Sequence, residues 1–202
     1  KTGKIVGVNG NMIAVEFDQG VKQNEVGYAV RGDDRLKAEV IRVRGTRADM
    51  QVFEETSGLT AGDVVELTDG LLSVELGPGL LGQIYDGLQN PLPRLAKEFG
   101  FFLKRGAYLD AIDTERSWTF TPLVEQGGTV TGGSWLGQVK EGIFDHKIMV
   151  PFDVSDNVTL TDIVGAGDYK LTDRIATITD SRGQARELTM SFEWPVKMPI
   201  RN

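Results

Sequence analysis

Glycine divides this chain into short segments, and that spacing constrains the possible folds more than any other feature. The 202 residues contain 25 glycines, well above the average share of about 7%. They are spread along the chain, and short runs of β-forming residues lie between them. The sequence therefore predicts a mainly β protein.

The first 68 residues contain six predicted strands. Residues 2–8 and 12–17 flank the turn Asn9-Gly10-Asn11 and are predicted to form a hairpin. The remaining strands are predicted at residues 26–30, 36–43, 49–53 and 64–67. Their apolar alternation is imperfect, as in a small closed barrel, so we predict a six-stranded Greek-key β-barrel.

The middle of the chain follows a different pattern. After Gly77-Pro78-Gly79, apolar side chains recur at helical spacing and predict a two-turn helix that ends at Asn90-Pro91. These side chains are Leu80, Leu81, Ile84, Tyr85 and Leu88. A further helical turn is predicted at 94–99, and a loop or edge strand at 100–108. The result is a short α-helical connector.

A second β unit is predicted from Trp118 onward. Glycine pairs at 127–128 and 132–133 separate its strands, as in a small barrel or sandwich. Its strands are predicted at 118–121, 129–131, 135–139, 146–150, 158–160, 169–171, 175–179 and 187–192. Residues 194–196 then leave the unit as an extended strand.

Composition excludes several function classes. The 22 Lys and Arg against 29 Asp and Glu give a net charge of −7, which argues against a general nucleic-acid binder and against anionic membranes. There are no cysteines, so thiol catalysis and Cys-ligated metals are excluded. No apolar run approaches 18 residues, so we expect no membrane insertion. The missing initiator Met and the extended segment 199–202 suggest a truncated chain.

One string resembles a nucleotide-binding motif. Residues 77–82, GPGLLG, match the dinucleotide pattern G-x-G-x-x-G. The predicted helix after them is too short for a βαβ unit, and Pro78 removes one amide that would hold phosphate. The phosphate loop G-x-x-x-x-G-K-[ST] is absent from the 202 residues. We therefore predict a structural turn and no cofactor site.

No other group predicts catalysis or metal binding. His146 is the only histidine, and one His without Cys does not make a typical zinc site. The acidic run 153–157 lacks the Gly and Glu of a calcium loop. The adjacent carboxylates Asp33-Asp34 and Glu54-Glu55 would point to opposite faces of a strand. They are predicted to form a solvated barrel rim.

Two alternatives are non-catalytic binding proteins. The segment around Lys147, after Gly132-Gly133, resembles the swinging-arm domains that carry biotin or lipoate on a hairpin lysine, which would make the chain a carrier or adaptor with tandem β-barrels. Lys147 lacks Met on both sides, so we predict an unmodified lysine within a β hairpin. A sugar-binding or nucleic-acid-binding barrel would need aromatic residues on one face. The first 68 residues contain only Phe17, Tyr28 and Phe53.

Several strings together resemble one family. They are VFEETSGL at 52–59, LSVELGPGLLG at 72–82, IYDGLQNPL at 84–92, WTFTP at 118–122, HKIMVP at 146–151, ELTM at 187–190 and WPV at 194–196. In this order they resemble the N-terminal part of the catalytic A subunit of V-type rotary ATPases, over essentially the whole chain.

The resemblance implies a division of the chain. Residues 1–68 would be the barrel that crowns the catalytic hexamer, and 69–110 a connector with the edge of the nucleotide-binding domain. Residues 111–187 would be the inserted bulge domain, and 188–202 a strand returning toward the nucleotide-binding domain. Within the connector, the structural turn residues would be Gly77, Pro78, Gly79, Gly82, Asp86 and Gly87.

The resemblance also implies a function. The parent subunit would be an enzyme that hydrolyses or synthesises ATP, coupled to proton or sodium transport, and would bind ATP and Mg²⁺ outside these residues. This region would supply assembly and architecture without catalysis of its own. Its partners would be the B subunit, in an alternating hexamer, and stalk subunits. It would be cytoplasmic and peripheral to the membrane. The coupled ion and the direction of the reaction stay open.

Overall fold

The computed structural model describes residues 1–100 and 105–199. It divides into two compact units. The first comprises residues 1–73 and 93–109, and the second comprises residues 74–92 and the chain from residue 110. The predictions for residues 101–104 and 200–202 lie outside the described residues, and the predicted functional domain boundaries stay a prediction.

The first unit contains the predicted barrel. Six antiparallel strands close in the order β1-β2-β5-β4-β3-β6. They are β1 (Thr2–Asn9), β2 (Met12–Phe17), β3 (Glu25–Arg31), β4 (Asp34–Arg44), β5 (Arg47–Val52) and β6 (Val64–Leu71). The six-stranded barrel is confirmed.

Local sequence explains why the barrel forms. Asn9 pairs with Met12, so the first hairpin turns over two residues, and Gly10 adopts a φ of 59° that glycine tolerates best. Alternate side chains of the strands are buried in a common core that includes Ile13, Val15 and Met50. The strand register shifts in β1, β3 and β4. Such bulges bend strands so that a small sheet can close, and they account for the imperfect alternation.

The predicted helix over residues 80–88 is wrong. These residues form turns, and the helix of this region is α1 (Leu92–Phe99). Gly82 has a φ of 76°, which a right-handed helix excludes. Pro93 lies in the first turn of α1, where its missing N–H has no helical partner to lose. The Pro-Leu-Pro segment therefore begins a helix instead of ending one, and the helical turn predicted at 94–99 is confirmed.

The second unit is a β sandwich. One sheet has the order β11-β10-β8-β13, the other β15-β14-β12-β9, and a two-stranded sheet pairs β16 with β7. The strands are β7 (Ser73–Leu76), β8 (Ser117–Pro122), β9 (Thr129–Val130), β10 (Trp135–Glu141), β11 (Phe144–Met149), β12 (Val158–Ile163), β13 (Gly167–Lys170), β14 (Ala176–Thr179), β15 (Ala185–Leu188) and β16 (Phe192–Pro195). The predicted second β unit is confirmed.

A single apolar core joins the two four-stranded sheets. Phe120 and Leu136 come from one sheet and Leu160 and Ile178 from the other, and all four are buried in the same cluster. The strand predicted at 187–192 is wrong in its continuity. The strand is interrupted between β15 and β16, where the Thr189 hydroxyl donates a hydrogen bond to a backbone carbonyl two residues later. In the described part of the chain, no helix has the length and apolarity needed to cross a membrane.

Candidate functional site

The connector turn at residues 77–82 places glycine where a side chain would not fit. A Cβ on Gly77 would lie 2.8 Å from Cβ of Ser191. Gly79 has a φ of 108°, and its Cβ would lie 2.9 Å from Ile112. Larger residues would have to displace this turn from the sandwich unit.

A buried carboxylate holds the same turn. Glu141, at the end of β10, is 7% exposed. Its Oε1 accepts hydrogen bonds from the backbone amides of Gly79 at 2.7 Å and Leu81 at 3.0 Å. Its Oε2 lies 2.6 Å from Nδ1 of His146 on β11. The single histidine of the chain therefore supports a structural carboxylate.

This arrangement determines what the G-x-G-x-x-G string can do. Two backbone amides that converge on one oxygen form a small anion-binding nest. In this chain the anion is the Glu141 carboxylate, so the amides of Gly79 and Leu81 are already satisfied. A nucleotide phosphate would have to displace a buried negative charge. The turn does not fit a phosphate group.

A second carboxylate shapes the turn at residues 86–90. Oδ1 of Asp86 accepts hydrogen bonds from the backbone amides of Leu88 and Asn90, both at 2.8 Å. Its Oδ2 accepts one from the buried Asn90 side chain at 2.9 Å. Gly87 lies inside this turn with open space around it. These bonds favour a turn over the predicted helix, because they satisfy the amides locally.

Glu75 links the connector to the end of the described chain. Gln89 hydrogen-bonds to the backbone amide and carbonyl of Glu75, each at 2.7 Å. The Ser191 hydroxyl donates to the Glu75 carboxylate at 2.9 Å. Burial raises the pKa of Glu75, and the charges of Asp110 and Glu193 raise it further. Sequence reasoning missed Glu75, since neither of its side-chain neighbours is close in the chain.

The apolar stripe of the connector is only partly covered. Leu80 packs against the sandwich core, and the Tyr85 hydroxyl donates to the carbonyl of Ala111 at 3.0 Å. Leu81 is 51% exposed and Ile84 is 64% exposed. Leu80 and Tyr85 therefore attach one part of the stripe to the second unit, and Leu81 and Ile84 stay exposed.

Two family models match the two β units. The model described as the beta-barrel domain of the ATP synthase alpha/beta family matches residues 5–69. The model described as the ATP synthase alpha/beta subunit barrel-sandwich domain matches residues 109–197. The chain belongs to the ATP synthase alpha/beta family. The predicted family is therefore confirmed.

Curated relatives agree on the V-type branch. The V-type ATP synthase alpha chain of Treponema denticola is 55% identical over 198 residues, which is 98% of this chain and 34% of the relative. That of Borreliella afzelii is 52% identical over 200 residues, 99% of this chain and 35% of the relative. The alpha chain 1 of Treponema pallidum is 54% identical over 198 residues, again 98% and 34%. The chain spans about a third of the length of these relatives.

The carboxylates predicted as a solvated rim have two different environments in this ATP synthase family barrel. Asp33 and Glu55 are exposed, as predicted. Asp34 instead forms an ion pair with Arg105, and Glu54 accepts a hydrogen bond from the Gly106 amide at 2.8 Å. The prediction is wrong for Asp34 and Glu54, because their partners lie about 50 to 70 residues later in the sequence.

Lys147, the lysine of the carrier alternative, has its amine held by side chains of the neighbouring strand. Lys147 lies in the β10–β11 hairpin, as predicted, but the turn of that hairpin is at Gly142-Ile143. Its amine donates to Gln138 and lies 5.3 Å from the centre of the Trp135 ring. A swinging-arm lysine has to be presented to a modifying enzyme, and this geometry does not favour that alternative.

Acidic side chains of the described residues form no metal centre. No group of three or more His, Asp or Glu residues is arranged there to hold a metal ion. In the acidic run 153–157, Asp153 pairs with Arg186 at 2.8 Å.

Proposed function

We propose that this chain is the N-terminal assembly and architectural region of the catalytic A subunit of a V-type rotary ATPase. The observation that carries the proposal is 55% identity, over 98% of the chain, to a V-type ATP synthase alpha chain. The parent complex couples ATP hydrolysis or synthesis to the transport of protons or sodium ions. Within it this region acts through its surfaces and its connector, and the chemistry takes place elsewhere.

Each part of the chain has its own role in this proposal. Residues 1–68 form the barrel that takes its place in the crown of a hexamer of alternating A and B subunits. Residues 69–110 connect that barrel to the edge of the nucleotide-binding domain. Residues 111–187 form the inserted bulge, and 188–202 return toward the nucleotide-binding domain. The turn residues named above set the direction in which the chain leaves each unit.

ATP and Mg²⁺ bind in the complete subunit outside the 202 residues. Two observations support this. The sequence contains no G-x-x-x-x-G-K-[ST] loop, and in the G-x-G-x-x-G turn the amides of Gly79 and Leu81 are bonded to Glu141. The complex also contains stalk subunits, and this region is cytoplasmic and peripheral to the membrane.

A chimeric subunit tests the proposal. The matching region of the Treponema denticola alpha chain is replaced by this chain, and the chimera is expressed with the other subunits of that complex. We expect an assembled complex by native mass spectrometry, with ATP hydrolysis coupled to ion transport. A chimera that folds but does not enter the complex would contradict the proposal.

Calorimetry tests the proposal that ATP and Mg²⁺ bind outside these 202 residues. The 202-residue chain should show no binding of Mg-ATP, because its sequence lacks the phosphate-loop Lys and Ser/Thr and the amide nest of Gly79 and Leu81 already holds Glu141. The chimera provides the positive control. Micromolar binding to the 202-residue chain would place a nucleotide site where the proposal has none.

A further inference from the structure

Four basic side chains gather on one outer side of the barrel. Neighbouring strands pair Lys4 with Glu16, Glu16 with Arg47, and Arg47 with Arg44. One row further along, Arg42 lies opposite Asp49. Directly paired residues project from the same face of a sheet. We call this surface the basic face: Lys4, Arg42, Arg44 and Arg47, with Glu16 and Asp49 between them.

The basic face contains a like-charge pair at its centre. Arg44 and Arg47 are directly opposite across the β4–β5 hairpin, and like charges in that position destabilise a sheet. Their side chains are 64% and 63% exposed. Arg44 forms an ion pair with Asp49 at 3.6 Å and Arg47 forms one with Glu16 at 3.7 Å. Both distances are too long for hydrogen bonds, and exposed ion pairs of this kind are weak, so the guanidinium groups can exchange these partners for an external carboxylate.

The charge of this face is opposite to that of the chain. The basic face contains four basic groups and two carboxylates, although the whole chain has a net charge of −7. A partner with negative charge is therefore attracted to this face, while the net negative charge of the chain as a whole disfavours its approach elsewhere. Such local complementarity fixes orientation as well as attraction.

The chemistry of the face favours a protein partner over a polyphosphate. Glu16 and Asp49 lie among the arginines and would repel a continuous row of phosphates. A guanidinium fork matches the two oxygens of a carboxylate, and a protein surface can place carboxylates opposite Arg44 and Arg47 while avoiding Glu16. The face also lies along paired strands on the side of the barrel, so it offers a continuous surface to such a partner.

We propose that the basic face docks onto a carboxylate-lined surface of the adjacent subunit in the catalytic ring. This inference rests on the function proposed above and names the surface that makes one of its contacts. Arg44 and Arg47 are the main contributors, because the subunit interface would relieve their mutual repulsion.

Charge reversal in the assembled complex tests the inference. The double variant Arg44→Glu/Arg47→Glu is made in the chimeric alpha chain and compared with Arg182→Glu/Arg186→Glu, which reverses two exposed arginines on the β14–β15 hairpin. We expect the first variant to dissociate from the complex about tenfold more readily at low salt, with the difference shrinking as salt rises. The control should assemble as the parent does.

The outcomes separate this inference from the proposed function. If the unaltered chimera does not assemble, the proposed function fails. If it assembles, and the Arg44→Glu/Arg47→Glu variant assembles equally well at every salt concentration, the basic face is not a contact surface. The neutral variant Arg44→Gln/Arg47→Gln removes the repulsion between the two arginines and adds no carboxylate beside Asp49 or Glu16. It should melt as the parent does and still dissociate more readily than the parent at low salt, which excludes misfolding as the cause of lost assembly.

Cross-linking identifies the partner surface. In the variant Arg44→Lys/Arg47→Lys, a carbodiimide joins each lysine to a carboxylate in direct contact, and mass spectrometry locates the new amide bond. We expect links to Asp or Glu of the adjacent subunit. Links confined to Glu16 and Asp49 of the same chain would overturn the inference. So would binding of duplex DNA or anionic phospholipid vesicles that depends on Arg44 and Arg47.

Discussion

The hydroxyl of Tyr108 donates a hydrogen bond to the carboxylate of Glu54, a residue 54 positions earlier in the chain. The same hydroxyl accepts a hydrogen bond from the backbone amide of Lys37 at 2.7 Å. Together with the Arg105–Asp34 ion pair, these bonds fasten residues 105–108 onto the barrel. They make the segment after α1 part of the first unit.

Removing the Tyr108 hydroxyl should destabilise the first unit. Tyr108→Phe removes the hydroxyl that accepts from the Lys37 amide and takes away one of the two hydrogen bonds that the Glu54 carboxylate accepts. A part-buried group left in this way costs about 1–3 kcal/mol, so we expect a loss of about 1–2 kcal/mol in urea denaturation. Tyr169→Phe is the matched control, because its hydroxyl makes one exposed bond to a carbonyl four residues away. Equal losses in the two variants would contradict the role assigned to Tyr108.

Alkaline pH should weaken the same contact. Burial raises the pKa of Tyr108 above its ordinary value, and the hydrogen bond to Glu54 raises it further. A group with a raised folded-state pKa stabilises the fold below the unfolded value, near pH 10 for Tyr. That stabilisation is lost as the pH rises toward the folded-state pKa. Melting temperatures from pH 8 to 11 should fall more steeply for the parent than for Tyr108→Phe.

Glu75 should make the stability of the second unit depend on pH in the acidic range. Its raised pKa means that its contribution to stability is present below about pH 4 and is lost as the pH rises through the folded-state value. Glu75→Gln removes the buried charge and keeps an oxygen for the Ser191 hydroxyl. We expect the variant to melt at a higher temperature than the parent at pH 8, with the difference closing by pH 4. Glu125→Gln, at an exposed position, should show no such trend.

Glu141 should hold the connector turn in place. Glu141→Ala leaves the amides of Gly79 and Leu81 without their acceptor, which we expect to cost about 2–3 kcal/mol. Hydrogen exchange should accelerate at those two amides before the rest of the sandwich. Glu141→Gln retains an acceptor oxygen and should lose less. Unchanged exchange at Gly79 and Leu81 in the alanine variant would show that another contact holds the turn.

Gly137 should tolerate no side chain. A Cβ at this position in β10 would lie 2.2 Å from Phe120 and 2.7 Å from the carbonyl oxygen of Thr121. Gly137→Ala must move a buried ring or the adjacent strand, so we expect a loss of about 3 kcal/mol or more in thermal or urea unfolding. Gly165→Ala is the control, because open space surrounds it and its φ is not positive. A similar, small effect of both changes would argue against the close packing of Gly137 on Phe120.

The barrel and the sandwich could be predicted because their signals are local. A strand such as β2 shows its buried face in the alternation of Ile13 and Val15, and Gly10 marks the turn before it. Each signal depends on neighbours within a few residues, so it is present before the chain folds. The family strings add information of the same kind, since they are read directly from the order of residues.

The sequence by itself determined the β class, the number of barrel strands and the family. Tertiary structure alone decided how the connector is held and which distant groups Glu75 and Glu141 bind. The spacing of Leu80, Leu81 and Ile84 is compatible with a helix. A helix would have to compete with the local hydrogen bonds of Asp86. It would also have to compete with the bonds that Glu141, about 60 residues away, accepts from the amides of Gly79 and Leu81. Hydrogen bonds that close such long loops have no counterpart in local periodicity, so they appear only when the folded chain brings their two ends together.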